Sequence, residues 1–248
     1  MGDKPLFLCN TPTGERFNTD FITSYKEWGF EDKEKKLTVN YVYPQVKNGY
    51  KLCIPGVVAR VATKDNGGKV DVTLNAFYEF DGVPMSSMID TITALDNHLE
   101  TVARSGDYPK IKAEAYRNLL FRIMSEDEEP SEDDIPRYMS KIKLNARSEL
   151  YVNEGGKLVK HEPLSLAGRY FVWDIYVKVQ IMKTKGQMYC KSEFVVLKAL
   201  ASREVFKGVD ITALPSYSEV SGDTHVAPVA TQSRAESTFD PEKLGLEL

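Results

Sequence analysis

Tyrosine and basic side chains alternate with apolar residues along several segments of the sequence. In residues 141–147 and 175–180 the tyrosine and basic side chains share one parity, and apolar side chains occupy the other. Because successive side chains of a β-strand point to opposite faces, the polar set is expected on the solvent side of strands. Aromatic rings stack on bases and ammonium groups contact phosphates, and neither contact depends on base sequence. The pattern therefore indicates a surface suited to single-stranded nucleic acid.

We predict that this surface is a basic, aromatic groove. Its candidate residues are Tyr43, Lys51, Lys141, Lys143, Arg147, Tyr176, Lys178, Lys183, Lys185, Tyr189 and Lys191. For any single tyrosine, a place in the core or at its rim is an equally good interpretation, because a phenol can bury its ring and keep its hydroxyl in water.

Residue types that carry out catalysis are scarce. The three histidines, His98, His161 and His225, lack the spacing of a metal-binding pair, and the glycines at 155–156 lack the spacing of a phosphate-binding loop. The acidic run 126–134 lacks the pattern of an EF-hand. We therefore predict a binding protein rather than an enzyme, with no catalytic residue, no metal and no cofactor.

The charge of the chain is unevenly distributed. The formal net charge is −4, but residues 126–134 hold seven acids and no base, and residues 219–248 hold six acids and two bases. The rest of the chain carries 30 basic and 23 acidic residues. Local potential follows nearby charge, so an acidic protein can still present a basic face. A solvated surface with an acidic loop explains the composition equally well.

The pattern of elements predicts a mainly β fold. Residues 37–80 read as a three-strand meander, residues 86–124 as two helices, and residues 141–198 as three further strands. Six short strands leave fewer exposed edges if they close, so we predict an OB-like antiparallel barrel of five or six strands with a helical insertion, with a β-sandwich as the alternative.

Three regions are expected along the chain. Residues 1–36 form an N-terminal arm, and residues 37–215 form the barrel domain with the helical insertion 86–124 and the acidic loop 126–134. Residues 216–248 form a flexible acidic tail, because they show no periodicity. The tail could dock on a protein partner, or it could be a passive linker. Its candidate docking residues are Phe239, Asp240, Glu242, Leu246 and Leu248.

The cysteines and the first residues bear on localisation. Cys9, Cys53 and Cys190 are odd in number and too far apart for a CxxC motif, which favours a reducing compartment. The sequence begins without a basic and then apolar run, and no stretch approaches the length of a membrane span. We therefore expect a soluble intracellular protein with no membrane partner.

The order of elements resembles the single-stranded-DNA-binding proteins of short-tailed phages, a type also found in nucleocytoplasmic large DNA viruses. The resemblance covers about residues 37–200 and the tail. It rests on the hairpin at 41–54, the helix with Leu95 and Asp96, the aromatic-rich segments 168–173 and 187–197, and the acidic end. The family's tail has a denser acidic cluster and a terminal aromatic residue, whereas this chain ends in Leu248.

The resemblance implies an OB-fold replication and recombination protein without enzymatic activity. It further implies single-stranded DNA as the ligand, with RNA left open, replication proteins bound through the tail, a homodimer, and action at the site of viral DNA replication. The alternative is a viral structural or capsid-associated protein whose apolar N-terminal arm docks on a neighbouring subunit. A hydrolase or nuclease that uses carboxylates and a metal is the third interpretation.

Overall fold

The computed structural model describes residues 5–12, 14–32, 37–80, 83–123, 137–184 and 189–206. These residues form a mainly β structure with one α-helix. The elements are β1 (Leu6–Phe7), β2 (Glu15–Arg16), β3 (Ile22–Asp32), β4 (Leu37–Val46), β5 (Leu52–Asp65), β6 (Val70–Phe77), β7 (Glu79–Phe80), β8 (Val83–Pro84), α1 (Ser86–Ser105), β9 (Ala115–Arg117), β10 (Phe121–Ile123), β11 (Arg137–Lys143), β12 (Glu149–Glu154), β13 (Lys157–His161), β14 (Tyr170–Thr184) and β15 (Tyr189–Phe206).

Five strands close into a barrel in the order β5, β6, β11, β15 and β14, and β14 pairs back to β5. The pairs are antiparallel except for β11 and β15, which run parallel where Lys143 lies opposite Val195. The predicted OB-like barrel with a helical insertion is confirmed, and its sheet is mixed rather than wholly antiparallel. Closure of the sheet argues against the alternative of a β-sandwich.

The core lies inside the barrel and beneath α1. Alternate residues of β14 point inward, and Trp173, Ile175 and Ile181 are fully buried. The Trp173 ring N–H donates to the Ala59 carbonyl at 3.2 Å, so its one polar group is satisfied. The apolar stripe of α1 packs on this core, and the helix ends at Gly106, whose φ of 86° favours glycine. Of the described helices, none has the length and apolar character needed to span a membrane.

The predicted second helix, from residue 109 to 124, is wrong. Its described part contains the short strands β9 and β10 instead. The buried Asp96 carboxylate of α1 accepts the N–H groups of Leu119 at 2.8 Å and Leu120 at 3.2 Å. The Ser140 hydroxyl donates to the Leu119 carbonyl at 2.6 Å. These tertiary hydrogen bonds occupy backbone groups that would be paired within a helix. The segment is therefore extended, although the spacing of its apolar residues is typical of a helix.

The predicted three-strand meander is also wrong, because β4 and β5 do not pair. The longer strand β14 lies between them, antiparallel to both. Residues of the predicted N-terminal arm belong to the same sheet and core: β3 pairs with β4, and Leu6 and Phe17 are buried. The acidic loop 126–134 and the tail 216–248 lie outside the described residues.

Candidate nucleic-acid interface

Strands β3, β4, β14 and β15 lie side by side and present one continuous outward face. Trp28 lies opposite Tyr41, and Lys26 lies opposite Tyr43. On the next two strands, Gln180 lies opposite Glu193. Residues paired directly across strands point to the same side of a sheet. We call this surface the aromatic-basic face; its residues are Lys26, Trp28, Phe30, Tyr41, Tyr43, Lys178, Gln180, Lys191 and Glu193, of which Gln180 is buried beneath its neighbours and is not itself available to a ligand.

Four aromatic rings form a ladder on the face. The Trp28 and Phe30 ring centroids are 5.1 Å apart, and Trp28 stacks on Tyr41 with centroids 5.8 Å apart and planes 23° apart. Tyr41 in turn stacks on Tyr43, with centroids 5.7 Å apart. Trp28 is 48% exposed and Phe30 is 38% exposed. The ladder is therefore a partly open platform whose rings are held in place by one another.

Basic side chains surround the ladder. The Lys178 ammonium lies 5.2 Å from the centroid of the Tyr43 ring, within the range of a cation-π contact. Lys191 forms an ion pair with Glu193 at 2.6 Å. Lys143, Val195 and Lys178 form one row across β11, β15 and β14, so cationic side chains extend from the face onto the barrel.

The tyrosines of the face remain neutral in ordinary conditions. Burial is the main cause that raises the pKa of Tyr41 to about 12, with smaller contributions from the charge of Glu193 and from Tyr43. Burial and then Glu193 raise the pKa of Tyr43 in the same way. Neutral phenol rings can stack on bases without adding a negative charge that would repel phosphates.

Several residues predicted from the sequence lie on or beside this face. Tyr43, Lys178 and Lys191 are part of it. Tyr189 is two residues before Lys191 on β15, and the Arg117 guanidinium lies 4.5 Å from the centroid of its ring. The exposed residues Lys141 and Lys143 share the outward side of β11. The parity predicted for residues 141–147 and 175–180 agrees with the outward positions of Lys141, Lys143 and Lys178.

Two predicted residues are not available to a ligand at this face. Tyr176 has the expected parity, but it is only 5% exposed because it packs with Cys53 and Leu200. Lys183 shares the parity of the buried Ile181, so it lies on the opposite side of β14 from Lys178. Its ammonium donates to the Lys112 carbonyl at 2.6 Å. The structure therefore places these two residues apart from the exposed side chains of the aromatic-basic face.

The remaining predicted residues are not part of the ladder or lie outside the described residues. Lys51 precedes β5 and lies near Lys198, where its charge contributes to lowering the pKa of Lys198 after the larger effect of burial. Arg147 lies in the turn between β11 and β12, where its backbone N–H donates to the Asn145 side chain at 2.8 Å. Outside the described residues are Lys185, Phe239, Asp240, Glu242, Leu246 and Leu248.

The sequence prediction missed six residues of the face: Lys26, Trp28, Phe30, Tyr41, Gln180 and Glu193. The alternation of Lys26, Trp28 and Phe30 with period two was a signal for a strand. The segment was instead interpreted as an apolar arm. Its strand character would have placed two large aromatic residues on the same side as a lysine.

Three other titratable groups, Cys53, Asp174 and Cys190, have pKa values that burial shifts. Burial raises the pKa of Cys190 to about 11 and raises that of Cys53 well above its ordinary value, so both thiols stay protonated and unreactive near neutral pH. Burial also raises the pKa of Asp174 to about 6, although its carboxylate accepts the Gly56 N–H at 2.7 Å. In the described part of the chain, no group of three or more histidine, cysteine or acidic side chains could hold a metal ion.

Comparison with known proteins gives no family assignment: no protein-family model matches the chain, and no curated protein matches it. A functional proposal therefore depends on the barrel and on the geometry of the aromatic-basic face.

Proposed function

We propose that this chain is a sequence-independent single-stranded DNA-binding protein, and that the aromatic-basic face binds the strand. The observation that supports the proposal most strongly is the contiguous ladder of Trp28, Phe30, Tyr41 and Tyr43 with lysines beside it. Bases would stack on the rings while Lys26, Lys178 and Lys191 contact phosphates.

Exposure of the ladder favours a binding role over a purely structural one. Large aromatic side chains that are exposed next to one another commonly mark an interaction site. The rings already pack on each other, so a stacking base would lose little affinity to the ordering of side chains. A duplex offers no free base faces along its length, so the same surface should favour single strands.

The biological role that we propose is viral DNA replication and recombination, with action at the site of replication in the host cell. The barrel with a helical insertion agrees with this class, and the composition of the tail suits two tasks. Its carboxylates could compete with DNA for the basic face, and Phe239, Leu246 and Leu248 could dock on replication proteins. A homodimer and RNA as a second ligand are compatible with the same surface.

Fluorescence anisotropy with a labelled oligo-dT of about 20 nucleotides, longer than the site of a single OB fold, tests the proposal. We expect tight binding at low salt, with log affinity falling by about 0.7 per contacted phosphate for each unit of log salt. A duplex of equal length should bind much more weakly. Equal affinity for the two forms, or binding that salt does not affect, would contradict the proposal and favour the structural-protein alternative.

A further inference from the structure

One carboxylate lies within the aromatic-basic face. Of the nine residues that define the face, Glu193 is the only acid, and its side chain is 11% exposed. One of its oxygens lies 2.6 Å from the Lys191 ammonium, and the other accepts a hydrogen bond from the Gln180 amide at 3.0 Å. Two partners on two strands therefore hold the carboxylate in a single orientation.

The carboxylate keeps capacity for a further ligand. An ionised carboxylate has roughly four acceptor positions, and Lys191 and Gln180 occupy one on each oxygen. Glu193 is close enough to Tyr41 and Tyr43 for its charge to raise the pKa of both phenols. The strand register also places these residues together: Met182 of β14 lies opposite Tyr41 on one side and opposite Lys191 on the other, and Gln180, two residues before Met182, lies opposite Glu193. A base stacked on Tyr41 or Tyr43 would therefore lie beside Glu193.

The four bases differ in what they offer to a carboxylate. Guanine presents two adjacent N–H donors on its Watson-Crick edge, which match the two oxygens of a carboxylate. Adenine and cytosine present one amino donor beside a ring-nitrogen acceptor, and thymine presents one N–H between two carbonyl oxygens. Single-stranded ligands are commonly read on this edge while the base stacks on an aromatic ring.

We propose that Glu193 makes one base position of the face selective for guanine, an inference that rests on the proposed binding of single strands. The rest of the ladder and the lysines bind without regard to sequence, so the preference adds to a sequence-independent affinity. Gln180 and Lys191 fix the orientation of the Glu193 carboxylate, which gives it a geometry suited to recognition.

Competition binding tests this assignment. Labelled oligo-dT is displaced by unlabelled competitors of equal length that consist of dT alone, dT with isolated dA, or dT with isolated dG. The dA competitor controls for the stronger stacking of purines. The variants are Glu193→Gln, Glu193→Asp, which keeps the charge but shortens the side chain, and Glu149→Gln, which removes a different ion-paired carboxylate that lies 2.6 Å from the Lys160 ammonium.

We expect the wild-type protein to prefer the dG competitor over the dA competitor by about five-fold or more, the lower end of the discrimination provided by a bidentate contact. Glu193→Gln and Glu193→Asp should reduce that ratio to below about two-fold while they still bind oligo-dT, and Glu149→Gln should keep it. Equal affinity of the wild-type protein for dG and dA, or an unchanged ratio in both Glu193 variants, would overturn the role of Glu193 and leave the proposed function intact. Failure of the wild-type protein to bind any competitor would overturn both.

Discussion

Phe30 and Phe121 offer a matched test of the ladder. Both are phenylalanines on strands, and they are 38% and 40% exposed, respectively. Phe30 lies on β3 and contacts Trp28 and Tyr41, whereas Phe121 lies on β10 opposite Met139 and is outside the aromatic-basic face. Phe30→Ala should therefore weaken single-strand binding, and Phe121→Ala should leave it unchanged.

The size of the effect follows from the exposed part of the ring. Stacking of one base on an aromatic side chain contributes about 1–3 kcal/mol. Part of the Phe30 ring already packs against Trp28 and Tyr41, whose ring centroids lie 5.1 Å and 6.3 Å from its own. We therefore expect a loss of binding free energy in the lower part of the range of about 1–3 kcal/mol. A loss of about 1–2 kcal/mol corresponds to an increase in Kd of about five- to thirty-fold.

Anisotropy titrations with labelled oligo-dT measure the Kd of both variants and of the wild-type protein. Thermal unfolding measures their stability, which should fall by similar small amounts because the two side chains are equally exposed. If Phe30→Ala binds as tightly as Phe121→Ala, the ladder is not the stacking surface. If both variants lose affinity for oligo-dT in proportion to their loss of folding stability, the weaker binding results from destabilisation. That result would refute the role of Phe30 in stacking.

Three further predictions concern charge, the tail and pH. Lys178→Gln should weaken binding to all sequences alike and make the salt slope shallower by about 0.7, whereas Lys183→Gln, on the opposite side of β14, should not; anisotropy over a salt series separates them. Truncation after Tyr217 should tighten binding several-fold at low salt, and the gain should shrink at high salt; unchanged affinity at both would identify the tail as a passive linker. Burial raises the pKa of Asp96 to about 6, above its ordinary value of 3.8, so the wild-type protein should lose folding stability as pH rises from about 4 to about 6. In the Asp96→Asn variant the free energy of unfolding should fall by about 3 kcal/mol less over this pH range, and a similar contribution from Asp174 should remain. Chemical denaturation at several pH values measures this, and identical pH profiles for the variant and the wild-type protein would contradict the prediction.

Local patterns predicted the faces of strands well. The alternation in β14 correctly placed Ile175 and Ile181 in the core and Lys178 on the outside. The same rule, applied to Lys183, would have placed it on the inner side, but it was grouped with nearby lysines by sequence distance. Tyr176 was correctly oriented, but its burial depends on Cys53 and Leu200, which come from other strands.

Features that depend on distant residues were not predictable from local patterns. The insertion of β14 between β4 and β5 pairs segments more than a hundred residues apart, so the hairpin signal at residues 47–49 was misleading. The extended path through Leu119 depends on Asp96 and Ser140. The face itself arises only when β3 joins the sheet, which brings Trp28 next to Tyr41.

The most direct measurement is the intrinsic tryptophan fluorescence during titration with unlabelled oligo-dT. Trp28 is 48% exposed at the centre of the ladder, whereas Trp173 is fully buried and donates to Ala59, so a change in emission reports on Trp28. We predict saturable quenching by the single strand that added salt reverses, and little quenching by a duplex of equal length. Unchanged emission while the oligonucleotide binds would show that the strand lies elsewhere, and would contradict the central claim that the aromatic-basic face binds it.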